Sequence, residues 1–165
     1  MLCLNRIQPE PTRGHCLIIP CEVAAKSVIP ALRAMVAREL MEEHGLKQEL
    51  IAERLGVTQA AISKYRHQVR GEAVQLEAAR EVRNMAKDIA ATIVQDPSPL
   101  EVSRKLCQAC TDIRALGLMC ETCRRVDEDW DVEHCTICFG HHGCTEAIAI
   151  DPGSIAKYRK IPILH

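Results

Sequence analysis

The sequence predicts a mostly α-helical chain: a bundle built around a tight two-helix hairpin, followed by a small cysteine-rich module. Three observations predict it. Residues 46–65 carry two short helical patterns meeting at Gly56. The segments 30–44, 73–94 and 100–116 repeat apolar residues at intervals of mostly three and four, the period of a helix with one buried face. Seven of the ten cysteines fall between Cys107 and Cys144.

Residues 1–20 contain Pro9, Pro11, Gly14 and Pro20 without helical period and read as a loose N-terminal arm. Order is expected from about Cys21. Pro30 fits the first turn of a helix running to about His44, with Leu32, Met35, Val36 and Leu40 as its apolar stripe and Gly45 as its stop. In the hairpin, Ile51, Ala52 and Leu55 give the first helix an apolar face. Gly56 supplies the positive φ of a tight turn, Thr58 can cap the second helix, and Ile62 and Tyr65 turn that helix back to the core. Small Ala52 lets two steeply crossing helices approach. Residues 73–94 predict one long helix carrying Val74, Leu76, Ala79, Val82, Met85, Ile89 and Ile93, which completes the bundle or pairs with its copy in a second subunit. Asp96-Pro-Ser-Pro99 breaks it, since each proline restricts its predecessor. A helix over 100–116 follows, with Leu100, Val102, Leu106, Ile113 and Leu116 apolar and Gly117 as its stop. The expected organisation is therefore an arm (1–20), a helix-turn-helix unit (21–95), a cysteine-rich module (100–150) and a tail (151–165) to which no mechanism attaches.

A helix-turn-helix of this form lays its second helix in the major groove of duplex DNA. Once Ile62 and Tyr65 are spent on packing, the outward face carries Gln59, Ala60, Ser63, Lys64 and His67, with Thr58 at the cap and Arg66 and Arg70 flanking. A glutamine near the helix start can bond adenine bidentately, an alanine can touch a thymine methyl, and Ser63 and Lys64 can reach base edges or phosphates. Residues 58–70 hold three basic side chains, Lys64, Arg66 and Arg70, and no acid. Gln48 opens the first helix, where a helix N-terminus favours a phosphate.

The segment resembles the phage repressor and Cro class of helix-turn-helix proteins, in which glutamines matching Gln48 and Gln59 contact phosphate and base. Its flanks, Pro20-Cys21-Glu22, Val28-Ile-Pro-Ala-Leu-Arg-Ala34, Cys107-Gln-Ala-Cys110 and Met119-Cys120, are similar to a family of small archaeal predicted transcriptional regulators. The resemblance covers about residues 20–124 and implies DNA binding. The cysteines after Arg125 depart from that family's short form.

Composition narrows the partners. Net charge is −1, so affinity for nucleic acid must come from a local patch, doubled in a homodimer. Aromatic residues are 2% of the chain, too few to stack unpaired bases, which makes double-stranded DNA rather than a single strand the expected ligand. No segment has the length of a membrane span, and the short apolar run Cys16–Cys21, interrupted by Pro20, is not a signal peptide, so a soluble cytoplasmic protein is expected. In that reducing compartment the cysteines read as metal ligands or redox groups rather than disulfides.

The array runs Cys107-x-x-Cys110, nine residues, Cys120-x-x-Cys123, eleven residues, Cys135-x-x-Cys138, then five to Cys144. A Cys-x-x-Cys pair spaces two thiolates for adjacent corners of a tetrahedron, and a second pair completes it. Cys107, Cys110, Cys120 and Cys123 form the simplest complete site. Cys135, Cys138 and Cys144 then need a fourth ligand from His134, His141 or His142, or hold an iron-sulfur cluster with an outside ligand. Because Cys107 and Cys110 share a helix face, they can instead join Cys21. Zinc and iron-sulfur both fit such thiolate sets. From Val126 to Asp151 there are seven acids and no lysine or arginine, a surface that phosphate would repel and that fits a sensor better than a second DNA contact.

No Gly-rich phosphate loop, nucleophile elbow or small-molecule substrate site stands out, and no enzyme is expected. The expected function is a sequence-specific transcriptional regulator, metal- or redox-responsive through its cysteines. The alternatives are a thiol-redox or electron-transfer metalloprotein, or an assembly factor that uses the helix-turn-helix as a protein-binding scaffold.

Overall fold

The computed structural model describes residues 17–67 and 76–139. These are mostly helical, with no strand among the described residues. The helices are α1 (Pro20–Lys26), α2 (Val28–Glu42), α3 (Gln48–Leu55), α4 (Gln59–His67), α5 (Arg80–Val94), α6 (Pro99–Ala115) and α7 (Cys120–Val126).

α2 is the spine. Its Leu32, Val36, Ala37 and Leu40 are fully buried, and it touches α1, α3, α4, α5 and α6. Each large side chain so buried contributes about 1.5–3 kcal/mol relative to exposure. Gly45, at φ +64°, ends the segment as its position predicts. Pro20 occupies the first turn of α1, a short helix lying before the expected start at Pro30. Ser27 then separates α1 from α2, its hydroxyl donating to the Val23 carbonyl at 2.8 Å.

The single helix expected over 73–94 is broken. Residues 76–78 form a helical turn, Ala79 is extended (ψ 120°), and α5 begins at Arg80. The break goes unannounced in the sequence because Leu76, Ala79 and Val82 are all buried, so the apolar stripe runs straight through it. Arg83 satisfies the freed carbonyls, donating from Nη1 to the Glu77 oxygen and, at 2.9 Å, to that of Ala78. Arg38 of α2 pairs with Glu77 and ties the turn to the spine. The part of the pattern at residues 73–75 lies outside the described residues.

Ser98 accepts from the Glu101 amide at 3.3 Å and Pro99 opens α6, so the Pro-Ser-Pro break doubles as a helix start. α6 buries Val102, Leu106, Ala109, Cys110 and Ile113 against α2 and α5. Leu100, expected on that apolar face, is instead 68% exposed. Gly117 at φ +75° turns the chain into α7, a helix the sequence pattern did not announce, which reaches α1. From Asp127 to Phe139 the backbone makes turns, anchored by buried Val132 and half-buried Trp130. One contiguous buried cluster runs from Ile18 through the bundle to Val132.

Candidate functional site

The hairpin is built by local chemistry. At the end of α3, Gly56 sits at φ +63°, ψ 40°. Its amide bonds the Glu53 carbonyl at 3.2 Å while that of Val57 reaches back to Ala52 at 3.0 Å, the paired bonds of a helix closed by a left-handed glycine. Two residues on, Thr58 Oγ1 accepts from the Ala61 amide at 3.2 Å and starts α4. Ile62 is fully buried and Tyr65 packs half-buried on the core, which fixes the rotation of α4. Ile51, Ala52 and Leu55 are buried opposite.

That rotation leaves Thr58, Gln59, Ala60, Ser63 and Lys64 exposed on one surface, with Gln48 half-buried at the start of α3. Arg66 and His67 extend the same helix, but their side chains, and all of Arg70, lie outside the described residues. One contact was not anticipated: Gln59 Nε2 donates to Glu49 Oε1 at 3.1 Å. The bond holds the glutamine amide group while leaving its carbonyl available. Glu49 and Gln59 are ten positions apart on different helices, so only the hairpin geometry pairs them.

Residues 38–67 match the family model described as helix-turn-helix, spanning the last turn of α2 through α4. Comparison with curated proteins and with solved structures returned no match. The family match and the geometry agree on a helix-turn-helix, a unit that supports DNA binding and transcriptional regulation. No described helix is long and apolar enough to cross a membrane.

The second constellation surrounds Arg114. Cys107 and Cys110 lie on α6, and Arg114 is one and two turns further along the same face. They line an open groove of about 810 Å³ together with Cys21, Leu100 and Ile137. Arg114 Nη1 donates to Cys21 Sγ at 3.1 Å. On the other side, Cys120, Cys123, Cys135 and Cys138 together line a small cavity of about 20 Å³, closed by Met119, Trp130 and Val132. Arg114 also lines that cavity, so one guanidinium stands between the two thiol groups.

Electrostatics follow the same division except at Cys138, on which Cys21 also acts. Burial pushes the Cys123 thiol up to about 12, and Cys138, Cys120 and Cys135 add to the effect. Burial also raises Cys110, whose thiol neighbours are Cys107 and Cys21, and Arg114 opposes the rise. Cys138 is raised by burial and likewise eased by Arg114.

The structure thus does not bring together Cys107, Cys110, Cys120 and Cys123, the simplest site by spacing. It groups the first pair with Cys21 and the second with Cys135 and Cys138, because α6 carries its cysteines toward α1 while α7 folds back under the following turns. Among the described residues no group of three or more Cys, His, Asp or Glu side chains is placed so that it could hold a metal ion, and this includes both cysteine groupings. His134 does not line the four-cysteine cavity; its Nδ1 meets Asp131 Oδ2 at 2.9 Å, which holds the Asp131 carboxyl below its ordinary value. Cys144, His141 and His142 lie outside the described residues. Arg114 was the residue the sequence reading overlooked. Its signal was present, since 107, 110 and 114 recur at helical spacing.

Proposed function

We propose that the chain is a sequence-specific double-stranded DNA-binding transcriptional regulator, not an enzyme, and that α4 enters the major groove. The observation carrying this reading is the capped, glycine-closed hairpin whose buried Ile62 leaves Gln59, Ala60, Ser63 and Lys64 together on the solvent face. Gln59 and Ala60 read base edges; Lys64 and Arg66 hold phosphates; Gln48 anchors the start of α3 on the backbone. Affinity comes from a homodimer that places two copies of α4 about one DNA turn, roughly 34 Å, apart. The match of residues 38–67 to the helix-turn-helix family model supports the same reading.

The cysteine region acts as the responsive part, through a metal centre or thiol redox chemistry. The support is covalent and spatial. α6, which carries Cys107 and Cys110, touches α3 of the hairpin, and Arg54 at the end of α3 pairs with Asp96 in the turn before α6. A change around α6 therefore reaches the hairpin without crossing solvent.

Selection of full-length protein on a random duplex pool is the test. Enrichment of a two-fold related motif is expected, and Lys64→Ala should weaken all sequences and reduce the salt slope by about 1. An unenriched pool, with binding indifferent to Lys64→Ala, would show that α4 does not read DNA.

A further inference from the structure

The spacing of the cysteines leaves their partners open; the fold divides them between two cavities. Cys120 and Cys123 lie in the first turn of α7, and the turns after Trp130 bring Cys135 and Cys138 to the same small cavity. These are two Cys-x-x-Cys pairs separated by eleven residues, a donor set of four soft thiols with no carboxylate or imidazole lining the cavity. We propose that Cys120, Cys123, Cys135 and Cys138 bind one zinc ion as a closed four-thiolate site, and that Cys107, Cys110 and Cys21 are not its ligands. This rests on the metal-binding part of the functional reading and is independent of the DNA-binding part.

Four thiols from two Cys-x-x-Cys pairs suit one tetrahedral zinc ion, and the assay below separates it from an iron-sulfur cluster. The four thiols line one cavity but do not stand as a metal-holding group, so zinc binding requires them to converge.

Charge selects the neighbour. Zinc taken up by four thiols releases four protons and leaves a centre of net charge −2. Arg114, which lines the same cavity, is placed to donate to that centre and offset part of its charge. Its Nε is buried without a hydrogen-bond partner among the described residues, a donor that a metal-bound thiolate can satisfy. The site also has a structural purpose. Between Asp127 and Phe139 only Val132 is fully enclosed apolar surface, so this stretch has almost no core of its own and metal–sulfur bonds supply what burial does not.

The test uses the full chain, purified without oxygen and analysed for zinc, iron and acid-labile sulfide, then alkylated under native conditions and mapped by mass spectrometry. One zinc per chain is expected. Cys120, Cys123, Cys135 and Cys138 should resist alkylation until a chelator is added, while exposed Cys21 and Cys107 react at once. Cys138→Ser should lose the zinc and Cys107→Ser should keep it. Should Cys138→Ser fail to fold, the labelling pattern of the wild type still decides. Loss of zinc in Cys107→Ser, rapid labelling of Cys135 and Cys138 in metal-loaded protein, or iron with sulfide in place of zinc would each overturn the assignment. A chain without metal that still selects a DNA motif would overturn the zinc site and leave the regulator standing.

Discussion

Gln59→Ala separates recognition from folding. The side chain is exposed and its described bond, to Glu49 at 3.1 Å, is solvent-accessible, so its loss should cost the fold less than about 1 kcal/mol. At the DNA, a bidentate glutamine–adenine contact discriminates by about 1–3 kcal/mol, or roughly 5- to 150-fold in affinity at one base pair. Glu49 complicates the sum, because its carboxylate both orients Gln59 and brings a negative charge near the phosphates. Orientation predicts that Glu49→Ala lowers discrimination at the same base pair and at no other. Competition binding at fixed salt, using the selected operator and its single-base variants, measures this in wild type, Gln59→Ala, Glu49→Ala and the double variant. The double variant should discriminate no worse than Gln59→Ala alone, since both changes remove one contact. If Gln59→Ala leaves every operator variant ranked as before, Gln59 touches no base and the docking of α4 is wrong.

Two further outcomes follow from the turn and the thiols. In Gly56→Ala the added methyl meets no atom within 4 Å, so the cost is conformational alone: about 1–2 kcal/mol for a left-handed alanine, partly offset by a stiffer unfolded chain, leaving about 1 kcal/mol. A lower urea midpoint with unchanged m-value is expected, and an unmoved midpoint would mean that the turn does not hold its positive φ in solution. Metal-free protein should lose stability in alkali: the Cys123 thiol is held up at about 12 in the fold against an ordinary 9.0, so the folded state keeps a proton that the unfolded state sheds. Its contribution is whole below pH 9 and declines from there toward 12. Denaturation of Cys123→Ala against wild type over that range checks the sign, and parallel pH profiles would refute it.

What the sequence made legible was local. The α3–α4 turn could be read because Gly56, Thr58 and Ile62 each act within a few residues of their partners. α2 and α6 could be read because their buried residues repeat at helical period over four turns. The seven-residue helices α1 and α7 could not, since helices so short owe their stability to the core they rest on. The interruption at Ala79 was hidden by an apolar stripe that continues across it. The grouping of the cysteines was hidden for a related reason: spacing says how many thiols a pair can offer, but only the directions of α6 and α7 say where they are offered.

α2 meets the recognition hairpin on one side and α5 and α6 on the other, and this limits how portable the hairpin is. A helix-turn-helix with a private core can be cut out, fused to a foreign partner and still fold. This one cannot be excised at the Asp96–Pro99 break without stripping α6 from α2 and α5 and opening the faces it covers there. The proline-marked boundary is a seam in the chain and not in the protein. Over evolutionary time, substitutions in the cysteine-bearing helix and in the hairpin must be accepted by the same spine, so the helix-turn-helix and the part that carries thiols are constrained to change together.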